Sequence, residues 1–112
     1  MDIIGRKRSD VQLIELRGHL RLGQPVDELR QSIDESMENG DARFVINLAE
    51  VPTIDSSGIG LLVRTLATTK QRGGNLKLVQ PSSFALKTLR LVGVLNLFEV
   101  FDDDETAIQS YA

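Results

Sequence analysis

Hydrophobic positions along the chain change rhythm several times, and each change marks an element. Val11, Leu13, Ile14 and Leu16 read as a strand, with Glu15 and Arg17 near its exit, and Ile3 and Ile4 as part of an earlier strand. Gly18 ends this part, and residues 19–24 connect it to the next. Pro25 opens a helix at a position that tolerates a missing N–H. Val26, Leu29, Ile33 and Met37 recur at spacings of three and four, one apolar helical face, which Asn39-Gly40 stops. Phe44 to Leu48 is an almost unbroken apolar run, the pattern of a strand covered on both faces. A second helix buries Ile59, Leu62, Val63 and Leu66 and stops at Gly73-Gly74. Leu76, Leu78 and Val79 form the next strand. A third helix starts at Pro81-Ser82-Ser83 with Ser82 as cap and Ala85, Leu89 and Val92 facing inward, closed by Gly93. Phe98 to Phe101 alternates as a short last strand. Asp102 to Glu105 caps a final helix carrying Ala107, Ile108 and Tyr111, its acidic first turn matching the positive end of the helix dipole.

This alternation predicts an α/β fold with a mostly parallel sheet behind the opening strands and right-handed crossovers. The 112 residues fit one compact domain spanning 1–112, without internal repeat or low-complexity tract. The net charge of −3 and the isolated Arg6-Lys7-Arg8 cluster do not favour direct nucleic-acid binding. With no cysteine and one histidine, His19, disulfide scaffolds, thiolate metal sites and two-imidazole relays are excluded. The acidic run at 102–105 reads as cap and solvated face, because contiguous acids do not make a loop of spaced metal ligands. No apolar segment reaches the roughly 18 residues of a membrane helix, and no signal peptide is visible, so the expectation is a cytoplasmic protein without membrane insertion.

The chemistry concentrates in Asp55-Ser56-Ser57-Gly58-Ile59-Gly60, between a buried strand and an amphipathic helix. Three readings compete. Asp and Ser are good helix caps, and the glycines would merely allow a tight turn. A serine at a strand-to-helix turn is also where a nucleophile sits, but Gly-x-Ser-x-Gly is missing and the one histidine lies in a different connection. The third reading is a phosphorylation switch. A phosphate at a helix N-terminus would meet free N–H groups and the positive dipole end. Its charge of about −1.5 to −2, next to Asp55, would repel a partner fitted to the neutral hydroxyl. Leu61 falls off the buried stripe beside Arg64 and reads as a partner contact near the switch. Thr65, Thr68 and Thr69 follow as tolerated substitutions or surface contacts. His19 reads as a loop residue.

The run Asn47-Leu48-x-x-Val51-x-x-Ile54-Asp55-Ser56-Ser57-Gly58-Ile59-Gly60 closely resembles the signature of STAS domains, in particular the bacterial anti-sigma factor antagonists. The likeness continues through Gly73-Gly74-Asn75-Leu76-Lys77-Leu78 and Leu97-Phe98-Glu99-Val100-Phe101-Asp102-Asp103. The resemblance implies a four- or five-stranded mixed sheet flanked by about four helices. It also implies a partner switch. The unphosphorylated antagonist binds an anti-sigma factor that is also a serine kinase, freeing the sigma factor. The kinase phosphorylates the serine after the aspartate, which carries over to Ser56, and a serine phosphatase reverses this. The protein is then no enzyme and needs no cofactor or metal, ATP belonging to the kinase. Asp55 would position the turn, and Ser57, Gly58, Ile59 and Leu61 would form the docking surface. One departure stands out. Where the family carries an acid in a Gly-x-Leu-Asp pattern, this chain has Gly18-His19-Leu20-Arg21, so Arg21 places a cation near the turn, able to pair with a phosphate. STAS-like domains also serve in sensory assemblies and as accessory subunits of membrane transport systems, an alternative that the same fold would support.

Overall fold

The computed structural model describes all 112 residues. Five strands form one sheet in the order β1 (Asp2–Arg8), β2 (Val11–Arg17), β3 (Arg43–Glu50), β4 (Asn75–Val79) and β5 (Glu99–Phe101). β1 and β2 make an antiparallel hairpin running from Asp2↔Arg17 to Arg8↔Val11, and β2 to β5 are parallel. Helices α1 (Gln24–Glu38), α2 (Ser56–Gln71) and α3 (Ser83–Leu91) are the successive crossovers, and α4 (Asp104–Gln109) follows β5. The element order is the one expected, apart from a 3-10 turn over Leu95–Leu97. No helix is long and apolar enough to cross a membrane.

Strand alternation divides the core. Ile14, Leu16, Phe44, Ile46, Leu48, Leu76 and Leu78 point to one face, where they pack on Val26, Leu29 and Ile33 of α1, Ile59, Leu62 and Leu66 of α2, and Ala85 and Leu89 of α3. Each fully buried valine, leucine, isoleucine or phenylalanine side chain among them contributes roughly 1.5–3 kcal/mol. Val11, Leu13, Val45 and Val79 point to the other face, covered by Ala107, Ile108 and Tyr111. There the Tyr111 hydroxyl donates to the Phe44 carbonyl at 2.7 Å. Buried Lys77 donates to Ser110 Oγ at 2.6 Å and lies 4.0 Å from the Tyr111 ring centroid. The cation–π contact and the hydrogen bond fasten the C-terminal segment to the sheet.

Three details correct the pattern read from sequence. β1 is longer than the Ile3-Ile4 pair indicates, because an edge strand with one solvated face carries little apolar signal. Its charged Arg6, Lys7 and Arg8 are a means of keeping an edge from pairing with other chains. The buried arc of α2 is wider than Ile59-Leu62-Val63-Leu66. Leu61, Thr65 and Thr69 are buried while Val63 is only partly so, because α1 packs along the flank of α2. The two threonine hydroxyls are satisfied by carbonyls of their own helix, those of Leu61 and Leu66. Val92 faces solvent at 52% exposure, because α3 ends at Leu91 and the cap residue leaves the helical register.

Candidate functional site

Parallel strands bring their C-terminal ends to one side, and the loops after β2, β3 and β4 meet there. The loop after β2 lies against the loop after β3 as a short extension of the sheet. Gly18 N–H donates to the Glu50 carbonyl, Leu20 N–H to Thr53 and Asp55 N–H to the Leu20 carbonyl, at 3.0 to 3.1 Å, and Leu20 and Ile54 form an isolated parallel bridge. His19 Nδ1 sits 2.6 Å from Thr53 Oγ1, which engages the one imidazole in joining the loops. The loop after β4 is tied in by Ser82, whose hydroxyl donates to the Pro52 carbonyl at 3.1 Å and accepts from Ala85 N–H to cap α3.

Asp55 is the N-cap of α2 and its carboxylate is fully engaged. Oδ1 accepts from Ser57 N–H and Gly58 N–H, each at 3.1 Å, and from Ser57 Oγ at 2.6 Å. Oδ2 accepts from Leu22 N–H at 2.8 Å, which fastens the other loop. Hydrogen bonds to the charged form, the Ser57 hydroxyl first, hold the carboxyl below its ordinary range against an opposing effect of burial. A group depressed in this way stabilises the fold above its unfolded value and loses that contribution as pH falls through the folded value. Asp55→Asn is therefore expected to flatten the loss of stability on acidification below about pH 4, measured by urea unfolding at stepped pH. Asp55→Ala, which also removes the cap, is expected to cost about 1–2 kcal/mol at neutral pH. An unchanged acid limb in the asparagine variant would remove Asp55 from the account.

None of the bonds in this turn involves the Ser56 hydroxyl. Ser56 is the first residue of α2 and is exposed, while Ser57 is half-buried and serves the Asp55 carboxylate. The N–H groups expected to be free for a phosphate are in part taken, since Ser57 and Gly58 already donate to Asp55.

The expected docking set separates by exposure. Arg21 is exposed and makes no ion pair, so it lies on the open side of the loop. Gly58, Ile59 and Leu61 are buried and offer no side chain to a partner. Gly58 is where α2 meets the loop after β2: a Cβ there would sit 2.8 Å from Leu20 Cγ, 2.9 Å from Ile54 Cγ2 and 3.0 Å from the Leu20 carbonyl oxygen. Gly58→Ala is expected to destabilise by a net ~1–2 kcal/mol, overpacking outweighing the better helix former. A urea midpoint at or above that of the parent would contradict this. Two exposed apolar residues escaped the sequence reading: Leu22, 77% exposed in the loop that Asp55 holds, and Phe84, 55% exposed at the start of α3. Their signal was an apolar residue off every buried stripe, Leu22 between Arg21 and Gly23 and Phe84 beside the cap Ser82.

Comparison with known proteins identifies the family and the fold. The STAS domain model matches residues 5–107. The anti-sigma-B factor antagonist of Bacillus subtilis is 27% identical over 107 residues, 95% of this chain and 94% of that protein. An anti-sigma factor antagonist from Mycobacterium paratuberculosis superposes with a TM-score of 0.85 at 17% identity, over 97% of this chain and 92% of that one. The Bacillus cell-fate determinant SpoIIAA in its phosphorylated form superposes with a TM-score of 0.78 at 21% identity, over 99% and 100% of the two chains. These two structures bear on the fold.

Proposed function

The chain belongs to the STAS domain family, and on that premise we propose that it is a non-catalytic regulatory binding protein of the anti-sigma factor antagonist type, switched at Ser56. In its unphosphorylated form the end of the sheet around Ser56 binds an anti-sigma factor that is also a serine kinase, and the sigma factor is released. Phosphorylation of Ser56 ends the binding, and a serine phosphatase restores it. The observation that carries this reading is the contrast within one turn. Asp55 and Ser57 are spent on holding the loops together, whereas the Ser56 hydroxyl is exposed and uncommitted on a rigid base. A protein kinase needs a hydroxyl of that kind, and a binding partner reads it without any refolding of the domain.

The docking face is proposed to comprise Ser56 itself, Arg21 and Leu22 from one side and Phe84 from the other, with Asp55, Ser57 and Gly58 as the frame beneath. Exposed apolar residues on rigidly tied loops suit an interface in which apolar anchors supply affinity and the central hydroxyl supplies control. Phosphopeptide mass spectrometry on protein from its own host, across growth conditions, tests the switch. Trypsin releases residues 44–64 as one peptide, and fragmentation separates Ser56 from Ser57. Phosphate on Ser56 that varies with condition is the expected result; its absence under every condition, or its presence on Ser57 alone, would overturn the reading.

A further inference from the structure

A cleft of about 310 Å³ runs between α1 and α2, away from the serine turn. Its floor is made by the buried Ile33, Met37 and Leu61, and its walls are charged. On α1 the wall is Arg30, Asp34 and Glu38, at steps of four; on α2 it is Arg64, Thr68 and Arg72, also at steps of four. Such steps place side chains above one another along one helical face. Arg72 Nη1 donates to the Met37 carbonyl at 3.2 Å, which fixes the level at which the two helices lie side by side at their C-terminal ends. Both helices cross over on the same face of a parallel sheet and run in the same direction. Two turns back from Arg72 and Glu38 lie Arg64 and Arg30, which therefore face each other across the cleft.

Two guanidiniums at one level repel unless an anion lies between them, and no carboxylate of the chain takes that place. Arg64 makes no ion pair. Arg30 pairs with Asp27 of its own helix at 3.2 Å, where the side chains are 42% and 71% exposed, so the pair is worth little. Its Nε is the only buried side-chain polar atom without a hydrogen-bond partner in the protein. That atom is closed off from solvent and Nη1 is on Asp27, so the part of the Arg30 guanidinium left for an anion is its other terminal nitrogen. Asp34 and Glu38 are exposed further along the same wall and are likewise unpaired.

We propose that this cleft is a binding site for a small phosphate monoester, with the phosphate held between Arg30 and Arg64 and a hydroxyl- or amine-bearing tail directed to Asp34, one turn along α1. A guanidinium from each helix donates to phosphate oxygens, and Asp34 downstream accepts from a donor tail. The volume lies at the small end of ligand pockets, and no aromatic ring lines it to stack a base, which favours a compact ester over a nucleotide. The site is independent of the Ser56 reading.

Amide-resolved titration of the whole protein at low ionic strength tests it, with inorganic phosphate and phosphoethanolamine as probes. Saturable shifts in residues of the cleft are expected, with a dissociation constant of about 1 mM or below for phosphoethanolamine and weaker binding for phosphate. Arg30→Gln or Arg64→Gln is expected to weaken both probes by about tenfold or more, and Arg64→Lys by less, because charge remains and the fork is lost. Asp34→Asn is expected to erase the difference between the two probes. Lys87→Gln on α3, outside the cleft, is expected to change nothing. The proposal fails if shifts do not saturate, if the glutamine variants bind as the parent does while retaining its spectrum elsewhere, or if Lys87→Gln weakens binding as much as they do.

Discussion

Gly74→Ala is expected to be the most destabilising single-methyl substitution in the chain, costing about 3 kcal/mol or more of a total typically 5–15. A Cβ at Gly74 would lie 1.7 Å from the Ala42 carbonyl oxygen and 2.4 Å from the Ala42 carbonyl carbon. Neither backbone is free to yield. Asn75 N–H donates to that same Ala42 carbonyl at 3.0 Å, immediately before β3 and β4 pair from Arg43↔Asn75 onward. On the other side Gly74 N–H donates to the Thr69 carbonyl and Gly73 N–H to Lys70, the paired bonds that close a Schellman turn at the end of α2. The methyl group must break either the first rung of the central strand pair or the end of the helix. The neighbouring Gly73→Ala supplies the control. Its backbone has φ of +81° and nothing lies within 4 Å of the added Cβ, so the cost there is the left-handed conformation alone, about 1–2 kcal/mol. Urea unfolding of the two variants should give a midpoint clearly lower for Gly74→Ala than for Gly73→Ala. Equal midpoints, or the reverse order, would refute the close-approach account.

The two glycines show what a sequence can carry. Gly73-Gly74 reads as a helix stop, and that is correct for Gly73, because a positive φ is a local demand and glycine answers it locally. The role of Gly74 depends on Ala42, 32 positions earlier, and no local pattern contains that distance. The same division runs through the site. Asp55 as cap, Ser82 as cap and the exposed Ser56 were legible, because capping and the start of a helix are set by neighbours in the chain. The bond from Leu22 N–H to Asp55 was not, because it joins two loops 33 positions apart. Leu61 was misplaced for a related reason. A helical wheel finds one buried stripe, but α2 meets the sheet on one side and α1 on another, and the second contact turns Leu61 and Thr65 inward. Where burial comes from the sheet the periodicity predicts it; where it comes from a neighbouring helix, only the assembled fold reveals it.

Phosphorylation of Ser56 is expected to lower affinity for the anti-sigma factor partner by at least about a hundredfold, or roughly 2.7 kcal/mol, while leaving the fold in place. The modification brings about −1.5 to −2 charges onto a turn where the single cation of the proposed face, Arg21, offsets at most part of them. Ser57 and Gly58 N–H already donate to Asp55, and the hydrogen bonds to its carboxylate, the Ser57 hydroxyl's first, keep Asp55 ionised at neutral pH, so two anions stand side by side at the centre of the proposed docking face. Because the carboxylate still holds Leu22 and caps α2, the repulsion is directed outward, toward the partner, instead of being spent on melting the helix. Ser56→Asp, with one charge on a shorter side chain, is expected to weaken binding by about tenfold, and Ser56→Ala to bind within a few-fold of the parent, since it removes a hydroxyl that nothing in the turn uses. Binding measured calorimetrically for the parent, both variants and the phosphorylated protein decides the matter, with amide spectra alongside. Undiminished affinity of the phosphoprotein would end the charge-switch account. Equal losses in Ser56→Ala and Ser56→Asp would show that the partner reads the hydroxyl itself. Spectral changes spreading from the turn into α2 would place the switch inside the domain, where the saturated hydrogen bonds of Asp55 argue that it is not.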